Sequence, residues 1–320
     1  MYHFGIIGVG GYIAPRHLQA IKQTNNTLIC ALDKHDSVGI LDSYFPNAYF
    51  FTQKEQFVRY IEQYTKSKKT KEAKKALDFI SICSPNHLHN VHIKLALNLN
   101  AHAICEKPLV LSPSQLEKLE SIQSPNKIYT ILQLRLHPSV IALKHHITSM
   151  LKSNPNQVFD ITLSYITARG HWYFSSWKGN QHKSGGIISN IGIHFFDMLS
   201  FVFGGFQSST LHILREDCAS GVLELEHARV RWFLSINQNH LPTEAKAHNK
   251  RVYRSIQIQN QEFEFSQGFE DLHTQSYKEI LAGRGFEAKE AKEAILITYH
   301  IRHQAISPFR DDYHPLCKQT

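Results

Sequence analysis

Short apolar runs alternate with amphipathic helical patterns through the first 130 residues, and this alternation limits the chain to few architectures. HFGIIGV, LICALD, NAYFF, LDFISIC, AHAIC and IYTILQL read as strands. Residues 14 to 23, the stretch FVRYIEQY, and residues 87 to 98 and 112 to 122 read as helices between them. Strands that are apolar on both faces belong inside a parallel sheet covered by helices. Right-handed crossovers then give a doubly wound Rossmann-type domain, an α/β fold, expected over residues 1–130.

Beyond about residue 155 the period changes. DITLSYITA, STLHILRE, GVLELE, RVRWFLSIN, YRSIQIQ and EFEFS alternate as strands with one wet face do, and turn residues separate them. A long apolar helix is expected from Ile187 to Phe203, and closing helices at about 270 to 281 and 286 to 303. Residues 131–320 therefore read as an α+β domain with a large open, mostly antiparallel sheet that binds substrate and joins subunits. An open sheet with one exposed face often marks an oligomer interface.

The charge of +8 and pI near 9.1 fit either a polyanion partner or a generally basic background. The run from Lys66 to Lys75 is expected to be a solvated loop and helix face. Basic runs here lack aromatic interleaving and no helix-turn-helix pattern appears, so nucleic acid is not the expected partner. No run of about 18 apolar residues occurs, so no membrane span is expected. The N-terminal MYHFGIIGVGG reads as a strand and not as a signal peptide. Five cysteines without a CxxC suit reduced core thiols and a cytoplasmic protein. The 21 histidines show no metal-ligand spacing, and no metal is expected.

GVGGYIAPRH follows the first strand and opens a helix. Gly8 allows a tight turn, and Gly10 lets the backbone approach a pyrophosphate at the helix N-terminus. Gly11, Tyr12 and Ile13 complete the turn, with Ile13 where the dinucleotide fingerprint has its third glycine. Asp33 ends the second strand, where an acid binds the ribose hydroxyls of NAD and repels the extra phosphate of NADP. It could equally cap the next helix.

Two more loops should meet this turn at the carboxyl ends of the strands. One is Cys83 to His89, with Ser84, Pro85, Asn86 and His89 expected near the cofactor. The other holds Glu106, Lys107 and Pro108. Lys107 there could hold a substrate hydroxyl and lower its pKa, or be a snorkelling surface lysine. A cis Lys107–Pro108 bond would help to aim it. On the long helix, Asn190 and His194 are four residues apart and share a face. His194 reads as a general base or as a satisfied core histidine.

CSPN followed by His89, EKP about twenty residues on, and SNIGIHFFD together resemble the Gfo/Idh/MocA oxidoreductase family over essentially the whole chain. The resemblance implies a Rossmann domain, a C-terminal α/β domain, NAD(P), and hydride exchange with a sugar or polyol carbon. GYIAPRH, ALDKHDSVGI, ICEKPLV, ILQLRLHP, WYFSSWKG, ARVRWFLS and DLHTQSYKEILAGRG are similar to a narrower WlbA-type branch. That branch oxidises the 3-hydroxyl of UDP-N-acetylglucosaminuronate with NAD, in the synthesis of diacetamido-uronic acid for surface polysaccharide. Some of its members keep the cofactor bound and recycle it with 2-oxoglutarate. An aminotransferase acts next, and a homotetramer is implied.

By this resemblance His194 takes the hydroxyl proton, Lys107 orients the same oxygen, and Glu106 contacts the cofactor side or holds Lys107. Asn190 stands where many family members carry Asp. It can orient or hydrogen-bond substrate but cannot titrate. Arg135 and Arg169 suit a uronate or diphosphate, and Trp172, Tyr173, Trp177 and Lys178 offer stacking and charge. The alternatives are another sugar or polyol dehydrogenase of the family, and a non-catalytic NAD-binding regulator. Retention of both Lys107 and His194 argues against the regulator.

Overall fold

A computed structural model of the chain describes residues 1–36, 38–67, 77–263, 271–310 and 312–319. They form two compact units, each described by itself below. The first comprises Met1–Val110, Ser114–Gln133 and Asp271–Ala291, and the second comprises Leu111–Pro113, Leu134–Glu270 and Lys292–Thr320. A single cut after residue 130 therefore differs from the structure, because a late segment returns to the first unit. Most of the lysine run, from Lys68 on, and the end of EFEFS after Phe263 lie outside the described residues.

The first unit is built on β1 (His3–Ile7), β2 (Thr27–Leu32), β3 (Tyr49–Phe51), β4 (Phe79–Ile82), β5 (His102–Cys105) and β6 (Ile128–Thr130). They pair in the order β3-β2-β1-β4-β5-β6, all parallel. The helices are α1 (Ala14–Gln23), α2 (Ile40–Tyr44), α3 (Lys54–Ser67), α4 (His89–Asn98) and α5 (Pro113–Glu120). Every residue of β4 is buried, as the nearly continuous apolar run requires of a strand covered on both faces. The strand order reverses at β1, whose neighbours are β2 and β4, so the carboxyl ends of β1, β4 and β5 lie at the switch point of the sheet.

The second unit opens with α6 (Pro138–Ser153), a helix that periodicity did not reveal. It has Pro138 in its first turn, and the ring of His137 caps it by accepting from the Ser139 N–H at 3.2 Å. Then come β7 (Phe159–Thr167), α7 (Trp172–Ser175), α8 (Gln181–Ser184), a π-helical turn (Ile188–Gly192) and α9 (Ile193–Phe203). The sheet is completed by β8 (Phe206–Leu214), β9 (Cys218–Leu225), β10 (Ala228–Ser235), the short α10 (Thr243–Ala247), β11 (Val252–Ile258) and β12 (Gln261–Glu262).

The sheet order is β12-β11-β7-β10-β9-β8, antiparallel except for the parallel pair of β7 and β10. That pair exists because the chain leaves β7 through the helical segment and re-enters the sheet from its far edge, so that a three-strand meander brings β10 back parallel. Gln181–Phe203 is long and apolar enough to cross a membrane by length and composition. Here it is the core helix. Ile191, Phe195, Phe196, Leu199 and Phe203 pack with Phe159, Leu163, Val230 and Trp232 of the sheet.

α11 (Leu272–Leu281) belongs to the first unit and α12 (Lys292–His303) to the second. α11 lies along α1, and the Thr274 hydroxyl donates to Gln23 Oε1 at 2.7 Å. The chain then crosses the second sheet. The Ser307 N–H donates to Leu211 O on the edge strand β8, Asp312 pairs with Arg229 and Arg231, and the His314 ring meets Ser164 Oγ at 2.9 Å. The C-terminal segment thus covers part of the sheet face and one edge, which limits edge pairing. All five cysteines are buried and free.

Candidate functional site

In the first unit, β1 runs into the glycine turn. Gly8 has φ +86°, and a Cβ there would sit 2.7 Å from the backbone of Cys83 and Ser84. Any side chain would be both strained and in collision with the next loop. The Gly11 N–H donates to Gly8 O, which closes the turn. Tyr12 is largely exposed, Ile13 is the last residue before α1, and no side chain caps that helix start. A helix N-terminus without a side-chain cap suits an anion.

The Gly10 N–H donates to Asp33 Oδ2 at 2.9 Å, and the His35 N–H donates to Oδ1 at 3.0 Å. Asp33 therefore faces the glycine turn from the end of β2 and also holds its own turn, whereas the next helix, α2, begins after Gly39 without a side-chain cap. A close-approach glycine, an uncapped helix start and an acid beside them fit the pyrophosphate and ribose of a dinucleotide.

The other two loops are tied to each other. His89 is fully buried; its Nδ1 lies 2.7 Å from Pro108 O and its Nε2 2.8 Å from Ser84 O. Burial pushes the imidazole toward its neutral form, against the pull of the two carbonyls. A neutral ring donates to one carbonyl at a time. Ser84 Oγ is 2.8 Å from His92 Nδ1, and burial lowers the His92 pKa to about 4, so the hydroxyl is hydrogen-bonded to a neutral ring. Pro85 leads into a 3₁₀ turn that starts at the buried Asn86.

Lys107 follows β5, is half-buried, and joins Pro108 through a cis bond. Glu106 is buried, with both oxygens engaged. Oε1 accepts from His17 and His273, at 2.9 and 2.8 Å, and Oε2 accepts from the Lys107 N–H at 3.3 Å. Burial alone would raise its pKa, but the two imidazole hydrogen bonds hold it well below the usual carboxylate range. The sequence alone gives His17, His273 and Tyr277 no role. His273 and Tyr277 are polar residues four apart on α11, a helix-face spacing that could have drawn attention to them.

In the second unit, Asn190 lies in the π-helical turn and His194 in the first turn of α9, both half-buried. A π-helical turn inside a helix often marks a functional position. Asn190 Nδ2 donates to Tyr173 Oη at 3.0 Å, which ties the Arg169-to-Lys178 loop to the helix. Tyr173 is buried while Arg169 and Trp172 are exposed, and Trp177 is half-buried. Lys178 Nζ lies 5.2 Å from the Trp172 ring centre and 5.8 Å from that of Trp177, and burial lowers its pKa, with Arg169 adding to the effect. The loop thus presents one cation, Lys178, beside two indole rings, with Arg169 on the same loop, a combination that can take an anion and a flat ring together.

Arg135 needs a correction. It is 9% exposed, and its fork is bound to the buried Asp197, Nη2 to Oδ1 at 2.6 Å and Nε to Oδ2 at 3.1 Å. Its guanidinium also lies 5.0 Å from the Phe201 ring centre. Two donors of the fork are thus engaged by a buried carboxylate, which gives Arg135 a place in the framework of the second unit.

Comparison with known proteins agrees with this geometry. Residues 2–130 match the family model for the Gfo/Idh/MocA oxidoreductase family, NAD-binding Rossmann fold, and residues 156–253 match the family's C-terminal alpha/beta domain. The WlbA (WbpB) dehydrogenase from Thermus thermophilus, solved with NAD and alpha-ketoglutarate, is 44% identical with a TM-score of 0.91, covering 98% of this chain and 99% of that one. The same enzyme solved with NAD and UDP-GlcNAcA gives 43% and 0.91 over the same shares. The D-glucoside 3-dehydrogenase of Escherichia coli is 25% identical over 128 residues, 40% of this chain and 36% of that enzyme's length. The chain belongs to the Gfo/Idh/MocA oxidoreductase family.

Proposed function

We propose that this protein is an NAD-dependent dehydrogenase that oxidises the 3-hydroxyl of UDP-N-acetylglucosaminuronic acid to the 3-keto sugar. The observation that carries the reading is the 43% identity, over 98% of the chain, to a dehydrogenase solved with NAD and UDP-GlcNAcA. The glycine turn with Asp33 and the EKP loop support it from the first unit, and the Asn190–His194 helix supports it from the second.

Gly8, Gly10, Gly11 and Asp33 hold the dinucleotide, with Ser84, Pro85 and Asn86 on the adjoining loop. NAD, when bound, supplies the acceptor for the two electrons leaving the sugar carbon. The chain itself handles the proton. Lys107 donates a hydrogen bond to the sugar oxygen and favours its deprotonation. His194 takes the hydroxyl proton as general base, and Asn190 orients the hydroxyl without titrating. Arg169 and Lys178 bind the diphosphate or uronate, and Trp177 stacks on the nucleotide base.

The O-antigen pathway, a cytoplasmic location, a homotetramer, an aminotransferase that takes the 3-keto product, and regeneration of the cofactor by 2-oxoglutarate belong to this proposal. The 2-oxoglutarate element draws on the ligand of the Thermus enzyme. The partial likeness to a D-glucoside 3-dehydrogenase favours oxidation at the 3-position in the second reading, a different hexose derivative.

The test is mass spectrometry of the purified protein with UDP-N-acetylglucosaminuronate, NAD and 2-oxoglutarate. A 3-keto product, or its trapped 3-amino derivative, is expected. It should vanish in Lys107→Ala and His194→Ala while NAD binding persists. Intact NAD binding with no product would reject the substrate. Loss of NAD binding in the unsubstituted protein would reject the dehydrogenase reading itself.

A further inference from the structure

Behind the EKP loop the first unit buries a line of five polar side chains. Ser81 Oγ lies 2.6 Å from Tyr277 Oη, which lies 2.8 Å from His17 Nδ1. His17 Nε2 and His273 Nε2 both reach Glu106 Oε1, and Glu106 Oε2 accepts from the Lys107 N–H. None of the five is more than 6% exposed. They come from α1, β4, the end of β5 and α11.

The donors and acceptors can be assigned in one direction. An ionised carboxylate is acceptor-only, so each imidazole brings a proton on Nε2. Burial pushes His17 toward its neutral form, against the pull of Glu106, which leaves Nδ1 as an acceptor. The Tyr277 hydroxyl donates to it, and the Ser81 hydroxyl donates to the Tyr277 oxygen. Every proton on the line from Ser81 through Tyr277 and His17 to Glu106 is placed, and Glu106 carries the negative charge. Two histidines and a carboxylate are also the residues of a metal site, and their ligand atoms lie within 4.8 Å of one another. Nitrogen-to-oxygen separations of 2.8 and 2.9 Å are hydrogen-bond lengths, and the assignment closes without an ion.

We propose that His17, His273 and Tyr277 are positioning residues for the oxidation. They hold Glu106 as a buried carboxylate whose second oxygen fixes the backbone N–H of Lys107, and so they aim the Lys107 side chain. The inference rests on the reading above, in which Lys107 acts on the substrate hydroxyl. Lysine has a long flexible stem, so the site needs its root fixed. α1 carries the glycine turn at its start, and α11 arrives from beyond the second sheet, so the network couples the lysine loop to the cofactor helix.

The test uses the full-length holoenzyme and His273→Ala, His273→Gln and Tyr277→Phe. His273→Ala should lower kcat roughly tenfold to a hundredfold, with KM and the Kd for NAD changed by less than about threefold. His273→Gln keeps an N–H for Glu106 and should recover most of the loss, and Tyr277→Phe should fall between the two. Imidazole ¹⁵N–¹H correlation of ¹⁵N-histidine-labelled protein should show His17 neutral with its proton on Nε2.

Four results would overturn the proposal. One is a kcat within about twofold of the starting enzyme in both His273→Ala and Tyr277→Phe. The others are no recovery by Gln, a His17 proton on Nδ1, or stoichiometric transition metal lost with His273. If the unsubstituted enzyme does not turn over the nucleotide-sugar, the functional reading fails, whereas the imidazole spectrum still decides the network.

Discussion

Replacing Arg135 by Met should destabilise the second unit strongly at neutral pH and much less in mild acid. The substitution keeps an apolar stem but strands Asp197, whose side chain is 4% exposed. Leaving one member of a buried ion pair uncompensated costs about 3–5 kcal/mol. Protonation of Asp197 sets a ceiling. An unfolded aspartate titrates near 3.9 and each pH unit is worth about 1.36 kcal/mol, so holding the group protonated at pH 7 costs about 4 kcal/mol. At pH 5 the same ceiling is about 1.5 kcal/mol. Burial already raises the pKa of Asp197, with Arg135 opposing it. A raised carboxylate binds more protons folded than unfolded, so stability falls as pH rises from about 3.9 toward the folded value. Removal of the guanidinium widens that window upward.

Urea unfolding followed by tryptophan fluorescence isolates the effect, because Trp172, Trp177 and Trp232 all lie in the second unit. The expected loss is about 3–4 kcal/mol at pH 7 and no more than about 1.5 kcal/mol at pH 5. Arg135→Met combined with Asp197→Leu should regain most of it, since no buried charge remains. A pH-independent loss, or no recovery in the double variant, would refute the framework role. A KM for substrate that stays raised in a double variant of restored stability would return Arg135 to the binding site.

Gly8→Ala sets a Cβ into the Cys83–Ser84 backbone at φ +86°. It should cost at least about 2 kcal/mol of first-unit stability and most of the NAD affinity, and an unchanged Tm with intact affinity would contradict that. Asp33→Ala frees the Gly10 N–H and removes the charge that disfavours a 2′-phosphate; calorimetry should show NAD binding weakened and the preference over NADP narrowed by about tenfold. His89→Leu removes the ring N–H that donates to one of the Ser84 and Pro108 carbonyls, and denaturant unfolding should register a loss of about 1–3 kcal/mol. Burial raises the pKa of Asp312, but hydrogen bonds from Arg231 and Arg229 outweigh it and leave a net lowering. Its contribution is therefore present above about pH 4, is lost as pH falls through the folded pKa, and is worth up to about 1 kcal/mol. Asp312→Asn should flatten that acid limb, and an unaltered limb would show that the clasp adds nothing.

The sequence alone determined the local and periodic features of this protein. Nearly continuous apolar strands such as FISI, alternating with amphipathic helices, point to a two-sided parallel sheet. Gly8 and the acid that ends β2 mark a dinucleotide turn because both act through backbone spacing. EKP and SNIGIH carried the family. Tertiary structure decided what depends on which distant side chain arrives as a partner. Arg135 looked like an anion anchor until Asp197, 62 residues later, filled its fork. Glu106 could contact the cofactor side or hold Lys107, and only the fold brought His17 and His273 onto one of its oxygens while the other accepts from the Lys107 N–H. The segment that supplies His273 lies beyond the second sheet yet folds with the first unit, so its place could not follow from order along the chain. Hydrophobic periodicity reports which face is buried, whereas charge pairing across long sequence separations is set only when the backbone closes.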